Sequence, residues 1–115
     1  MAAMPLMVKP RVPRRAQRYP VRWPITSLNG QPVQDTWVVD VSTLGARLET
    51  TRGMGIRCPV KFTVRLPDGQ PREIAGQVVW MRPIFTTPGR FHQGIQFYGP
   101  QWDLEGMAKM EQPPK

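Results

Sequence analysis

Fourteen of the 115 residues are proline, and their placement constrains the fold more than any other feature of the chain. They crowd the two ends and fall between apolar runs. Inside a helix, proline removes a hydrogen bond and clashes with the preceding turn. Inside a sheet it is confined to edges, strand starts and bulges. This pattern argues against long helices and for short strands punctuated by proline loops. The length suits one domain.

Strand by strand, the pattern holds. Tyr19 to Ser27 reads as a first strand, with Pro20 and Pro24 placing it at an edge. Asn29-Gly30 marks a turn. Asp35–Val41 and Ala46–Thr50 are strands, and 52–59 is a loop. Val60–Leu66 alternates, with Phe62, Val64 and Leu66 on one face. Pro67-Asp68-Gly69-Gln70 is a hairpin signal. Arg72–Met81 follows, where alternation puts Ile74, Val78 and Trp80 on a common face. Phe91–Tyr98 is the last strand, and Gln101–Glu111 predicts a short helix. Six strands at hairpin spacing predict an all-β fold, a small antiparallel barrel or sandwich. Closure would remove exposed edges. The expected organisation is a flexible basic arm over 1–18, a barrel over 19–100, and a short C-terminal helix and tail over 101–115.

Charge is unevenly distributed. The net charge is +8, and no acidic residue precedes Asp35. Between Lys9 and Arg22 lie Arg11, Arg14, Arg15 and Arg18, so five arginines stand against one lysine. Such a segment attracts anions, and arginine adds a planar fork that grips phosphate or a guanine edge. The single cysteine, Cys58, permits no internal disulfide. It reads as a small apolar packing residue beside Pro59. The start, MAAMPLMVKP, is too short and proline-broken for a signal peptide, and no apolar run approaches membrane-spanning length. A cytoplasmic protein without membrane insertion is the expectation.

Two motifs carry chemistry. Asp40, Ser42 and Gly45 fill the break between two strands in VVDVSTLGARLET. Their side chains can cap the turn, or bond to a ligand's donors, while glycine permits unusual backbone or close approach. Upstream, Arg14 and Arg18 in RRAQR stand four apart, with Arg15 beside the first. Arg11 with Arg15 and Arg18 with Arg22 share that spacing. Arg14 with Arg18 is preferred because the strand begins at once with Tyr19-Pro20.

An R-x-x-x-R pair before the first strand and D-x-S-x-x-G after the second, followed by ARLET, GQVVW and GIQF, resembles the PilZ domain family over residues 14 to 100. The resemblance implies a six-stranded PilZ-type β-barrel and a receptor for the bacterial second messenger cyclic di-GMP, with no cofactor. It implies a ligand site of Arg14, Arg15, Arg18, Asp40, Ser42 and Gly45. Arginine forks suit guanine N7 and O6, and the Asp40 carboxylate suits its N1–H and amino group. Trp80 is a candidate stacking surface, or equally a core residue. The ligand would fold the arm over the barrel, an ordering read by a downstream protein partner. Motility, exopolysaccharide synthesis or virulence is the kind of process the family suggests.

Two other readings stand beside this. A basic small barrel can bind nucleic acid, with steep salt dependence, but that leaves D-x-S-x-x-G unexplained. A PilZ-type adaptor without ligand can dock a partner, through a face carrying Phe85, Phe91 and Tyr98. An enzyme is not expected. His92 is the lone histidine, a Ser42–His92–Asp triad has no support, and Cys58 and His92 form no metal-ligand cluster.

Overall fold

The structure is a computed structural model and describes residues 17–113. Its strands are β1 (Tyr19–Leu28), β2 (Gln31–Pro32), β3 (Trp37–Val41), β4 (Gly45–Thr50), β5 (Pro59–Arg65), β6 (Pro71–Pro83) and β7 (Phe91–Phe97), followed by helix α1 (Trp102–Met110). Every pairing is antiparallel. The order β1-β3-β4-β7-β6-β5 returns to β1, which closes a six-stranded barrel. The two-residue β2 pairs with the end of β1 across Asn29 and Gly30, both at positive φ, as a two-residue hairpin turn of matching twist requires.

The prolines of β1 are accommodated by halves. Tyr19 to Pro24 pairs with β3, whereas pairing with β5 begins only at Ile25. The first half of β1 thus has one unladdered side, where a missing N–H costs little, and the second half lies inside the closed sheet. The edge expected for the whole strand holds for this half alone.

Alternation fills the barrel. Trp23, Ile25, Val38, Val41, Leu48, Val60, Phe62, Val64, Ile74, Val78, Ile95 and Phe97 point inward and are buried. Helix α1 packs on β1 and β3 and sends Leu104 and Ala108 into the same core. Nine residues make a marginal helix on their own, and burial of Leu104 contributes about 2 kcal/mol. Asp103 and Glu105 in the first turn and Lys109 in the last complement the helix dipole. The last turn is tied to β1: Trp23 Nε1 donates to Glu111 at 2.9 Å, and Gln112 Nε2 donates to the Pro20 carbonyl at 3.0 Å.

One polar side chain belongs to the interior. Gln93 is fully buried on β7. Its amide donates to Thr50 Oγ1 at 2.6 Å and to the Arg52 carbonyl at 3.1 Å, and its oxygen accepts from the Met54 amide at 2.9 Å. One bond goes to the end of β4 and two hold the loop that follows it, so the cost of burying the amide is met.

Three expectations are corrected. The pairing of β6 with β7 shifts register between Val78 and Trp80. The extra residue, Val79, takes Trp80 off the inner face of Ile74 and Val78 and sets it opposite Gly94 on the outer wall, because a bulge suspends strict alternation. Cys58 is exposed, not packed. It closes a turn in which its amide donates to the Gly55 carbonyl at 3.1 Å. Phe85 and Tyr98 are both exposed, but they lie beyond opposite ends of β7, separated by roughly 20 Å of strand, so they form no common docking face with Phe91.

Candidate functional site

The turn between β3 and β4 is built by Ser42. Its hydroxyl accepts from the Leu44 amide at 3.1 Å and the Gly45 amide at 3.2 Å, and its own amide donates to the Gly45 carbonyl at 2.8 Å. Ser42 is buried. Of the two roles the sequence allows, its hydroxyl fills the turn-capping one. Gly45 has an equally local reason: a Cβ there would strike the carbonyl oxygen of Ile95 on β7. The motif serine and glycine thus make a rigid bend pressed against the neighbouring strand.

That bend fixes Asp40 at the end of β3, with its side chain outside the barrel. Arg18 Nε donates to Asp40 Oδ1 at 3.0 Å, and Arg47 Nη2 stands 3.7 Å from Oδ2. Twenty-two residues of chain separate Arg18 from Asp40, so this pair is where the two sequence motifs meet. Arg14 and Arg15 lie outside the described residues. Arg22, the alternative partner in the four-residue spacing, is engaged elsewhere. It lies 4.5 Å over the Trp37 ring and donates to Glu49 at 3.2 Å.

Cross-strand register lines these residues up along the outer wall. Pro20 opposes Asp40, Asp40 opposes Arg47, Arg47 opposes Gly94, and Gly94 opposes Trp80. The Trp80 ring lies on Gly94, where a Cβ would collide with the indole. Arg82 sits 5.1 Å over the same ring, within cation–π range. A cleft of about 490 Å³ opens here, lined by Arg18, Ser42, Leu44, Gly45, Ala46, Val79, Trp80, Gly94, Ile95 and Gln96. Its size is that of small-molecule sites. One cation, one aromatic ring and a neighbouring carboxylate make it suited to an anion that also carries a flat polar base. Of the six candidate ligand residues besides Trp80, Arg18, Ser42 and Gly45 line this cleft together with Trp80, and Asp40 stands beside it, bonded to Arg18.

Arg47 and Arg82 were not singled out from sequence. Parity is the signal for Arg47: it lies two residues past Gly45 on one strand, hence on the same face. Arg82 follows Trp80 by the same rule, but only once the bulge at Val79 is known.

A second row flanks the first, in which Trp37, Glu49, His92 and Arg82 are successive cross-strand partners. Glu49 accepts from Arg90 Nε at 2.8 Å and from Arg22. Burial raises the Glu49 pKa, but the bonds and charges of Arg90 and Arg22 outweigh it and hold the carboxyl below its ordinary 4.5. Burial, then the charge of Arg47, holds the His92 imidazole below 6.5. Both groups release protons more readily folded than unfolded. As pH falls, the unfolded chain therefore binds protons first, and stability drops. A first loss is expected as pH falls below 6.5, down to the lowered pKa of His92, and a second below 4.5, from Glu49. Denaturant unfolding from about pH 8 to about pH 3 checks this. His92→Gln should flatten the first step and Glu49→Gln the second.

The chain matches the family model of the PilZ domain over residues 13–105, a span that takes in both motifs, and it belongs to the PilZ family. It is a barrel of the cyclic di-GMP-binding type. No curated protein matches it. Among solved structures it resembles the Bacillus subtilis inhibitor of motility, MotI/DgrA, with a TM-score of 0.65 at 12% identity, over 89% of this chain and 49% of that one. The chain thus spans about half the length of that protein, and at this identity the likeness is one of fold. Among the described residues, no helix is long and apolar enough to cross a membrane.

Proposed function

We propose that this domain is a cyclic di-GMP receptor, and that it binds the nucleotide at the cleft between Arg18, Asp40 and Trp80. The observation that carries the reading is the Arg18–Asp40 pair. It joins the arginine motif to the D-x-S-x-x-G bend at the mouth of a cleft whose far wall is an indole. The Arg18 side chain is 49% exposed, and such surface ion pairs contribute about 0–1 kcal/mol. A ligand can therefore displace it at little cost. Guanine then offers its N1–H and amino group to Asp40, and Arg18, with Arg14 and Arg15 upstream, turns to phosphate or to the N7/O6 edge. Neutralising the crowded arginines draws residues 1–18 over the barrel, and a downstream protein partner reads that ordered surface. The domain acts in the cytoplasm, on a process such as motility or exopolysaccharide synthesis. The motility inhibition named for MotI/DgrA is of this kind.

Calorimetric titration with cyclic di-GMP tests the reading and gives the ligand-to-protein ratio. Arg18→Ala and Arg14→Lys should each weaken binding by about 1–3 kcal/mol, the range of a lost bidentate contact. Identical affinity in both variants would reject the site. An affinity for oligonucleotides that exceeds that for cyclic di-GMP and falls steeply with salt would favour general nucleic-acid binding instead.

A further inference from the structure

Arg47 has no role in the motifs, yet it stands in the middle of the outer-wall row, between Asp40 on one side and Gly94 with its overlying Trp80 on the other. Its guanidinium is paired with Asp40 by charge but makes no hydrogen bond. Nη2 reaches Asp40 Oδ2 only at 3.7 Å, beyond hydrogen-bond length, and Nε is buried without any hydrogen-bond partner. A buried donor left unpaired is costly and rare. The same Asp40 oxygen is the loosely held one, since Arg18 takes Oδ1 at 3.0 Å. The half-exposed Arg47 Nη2 and Asp40 Oδ2 therefore stand side by side, neither hydrogen-bonded, next to an aromatic surface.

We infer that Arg47 is a base-reading residue of the cleft, pairing with guanine O6 while Asp40 Oδ2 accepts from the adjacent N1–H. The inference rests on the cyclic di-GMP reading above and extends it to base selectivity. In guanine, N1–H and O6 are neighbours, a donor beside an acceptor, and Asp40 with Arg47 is the complementary order. Adenine carries the reverse, an acceptor at N1 beside the donor at N6. With the purine laid against Trp80, adenine would set its N6 amino group against the guanidinium and its N1 lone pair against the carboxylate. A site that hydrogen-bonds one base edge rejects the wrong one because its own polar groups are then left unpaired. Arg47 thus selects guanine over adenine at the N1/O6 edge, and whatever the arm arginines give to phosphate is common to both nucleotides.

The test is titration of wild type, Arg47→Met and Arg47→Lys with cyclic di-GMP, with cyclic di-AMP measured by displacement and thermal unfolding recorded for each. Both variants should lose about tenfold or more in cyclic di-GMP affinity and less in cyclic di-AMP affinity. Melting temperatures should change little, since methionine and lysine keep the packed aliphatic stem and the ion pair lost or altered is half-exposed. Lysine keeps the charge and the aliphatic stem, so it preserves the comparison if the methionine variant folds poorly. Unchanged cyclic di-GMP affinity in both variants, with Arg18→Ala still weakened, would overturn this inference alone. So would an equal loss for the two nucleotides, which would make Arg47 a charge rather than a reader. Absence of cyclic di-GMP binding in the wild type would overturn the underlying reading, and this inference with it.

Discussion

Gly45→Ala is expected to destabilise the barrel by about 3 kcal/mol and to lower its melting temperature by on the order of 10 °C. The added Cβ would meet the Ile95 carbonyl oxygen, and backbone cannot swing aside as a flexible side chain can. The β4–β7 ladder, which runs from Gly45–Gln96 to Thr50–Phe91, must open at that end or shift as a whole. The Ser42 hydroxyl would lose its bond to the Gly45 amide at the same time. Circular dichroism on heating measures the effect, and Gly106→Ala is the matched control. Gly106 lies on α1 with nothing within 4 Å of a Cβ, so alanine there should stabilise by about 0.5–1 kcal/mol. Equal melting temperatures for Gly45→Ala and wild type would mean that the glycine is not held by close approach.

Asp40→Ala should show the opposite division between stability and binding. Its partners Arg18 and Arg47 are 49% and 41% exposed, so the lost ion pairs cost at most about 1 kcal/mol of stability. On the proposed pose, affinity for cyclic di-GMP should fall by about 2–3 kcal/mol, a factor of roughly 30 to 150, because the carboxylate set against the guanine edge is gone. Two guanidinium groups are also left without the anion between them. Asp40→Asn keeps one acceptor and the side-chain shape and should lose less. Titration of each variant beside a melting curve separates the two quantities. A large loss of stability with unaltered affinity would make Asp40 a purely structural residue.

Much of this architecture can be read from sequence, because local rules and tertiary structure agree along most of the chain. The alternation of Phe62, Val64 and Leu66 marks β5, and Pro67–Gln70 its hairpin. Asn29-Gly30 marks the turn into β2. Pairing two motifs that each have a bland reading alone assigned Arg18 and Asp40 to one ligand; their direct bond was not foreseen. What could not be read depends on register. Periodicity assumes that no residue is left over in a strand, so it turned Trp80 inward. One additional residue, Val79, reverses that. Arg47 gains significance only when β3, β4 and β7 are aligned so that Asp40 and Gly94 flank it. Gln93 has polar chemistry and a core position, and only the loop carbonyl and amide that it bonds explain the combination. For Cys58, residue type suggested burial, but the turn that begins at Gly55 leaves it at the surface.

Closure of the sheet has a consequence for how another polypeptide can engage this domain. A peptide that recruits itself as an extra strand needs a row of free amides and carbonyls to copy. Among the described residues the outermost strand is Gln31–Pro32, and its proline donates nothing. The unladdered half of β1 has its Pro20 carbonyl already taken by Gln112. Main-chain templating is thereby confined to the end of β6, which beyond Val78 pairs with β7 alone, and elsewhere recognition falls to side chains and to whatever ligand lies among them. A bound nucleotide would accordingly alter what a binding protein can see while leaving the framework itself untouched.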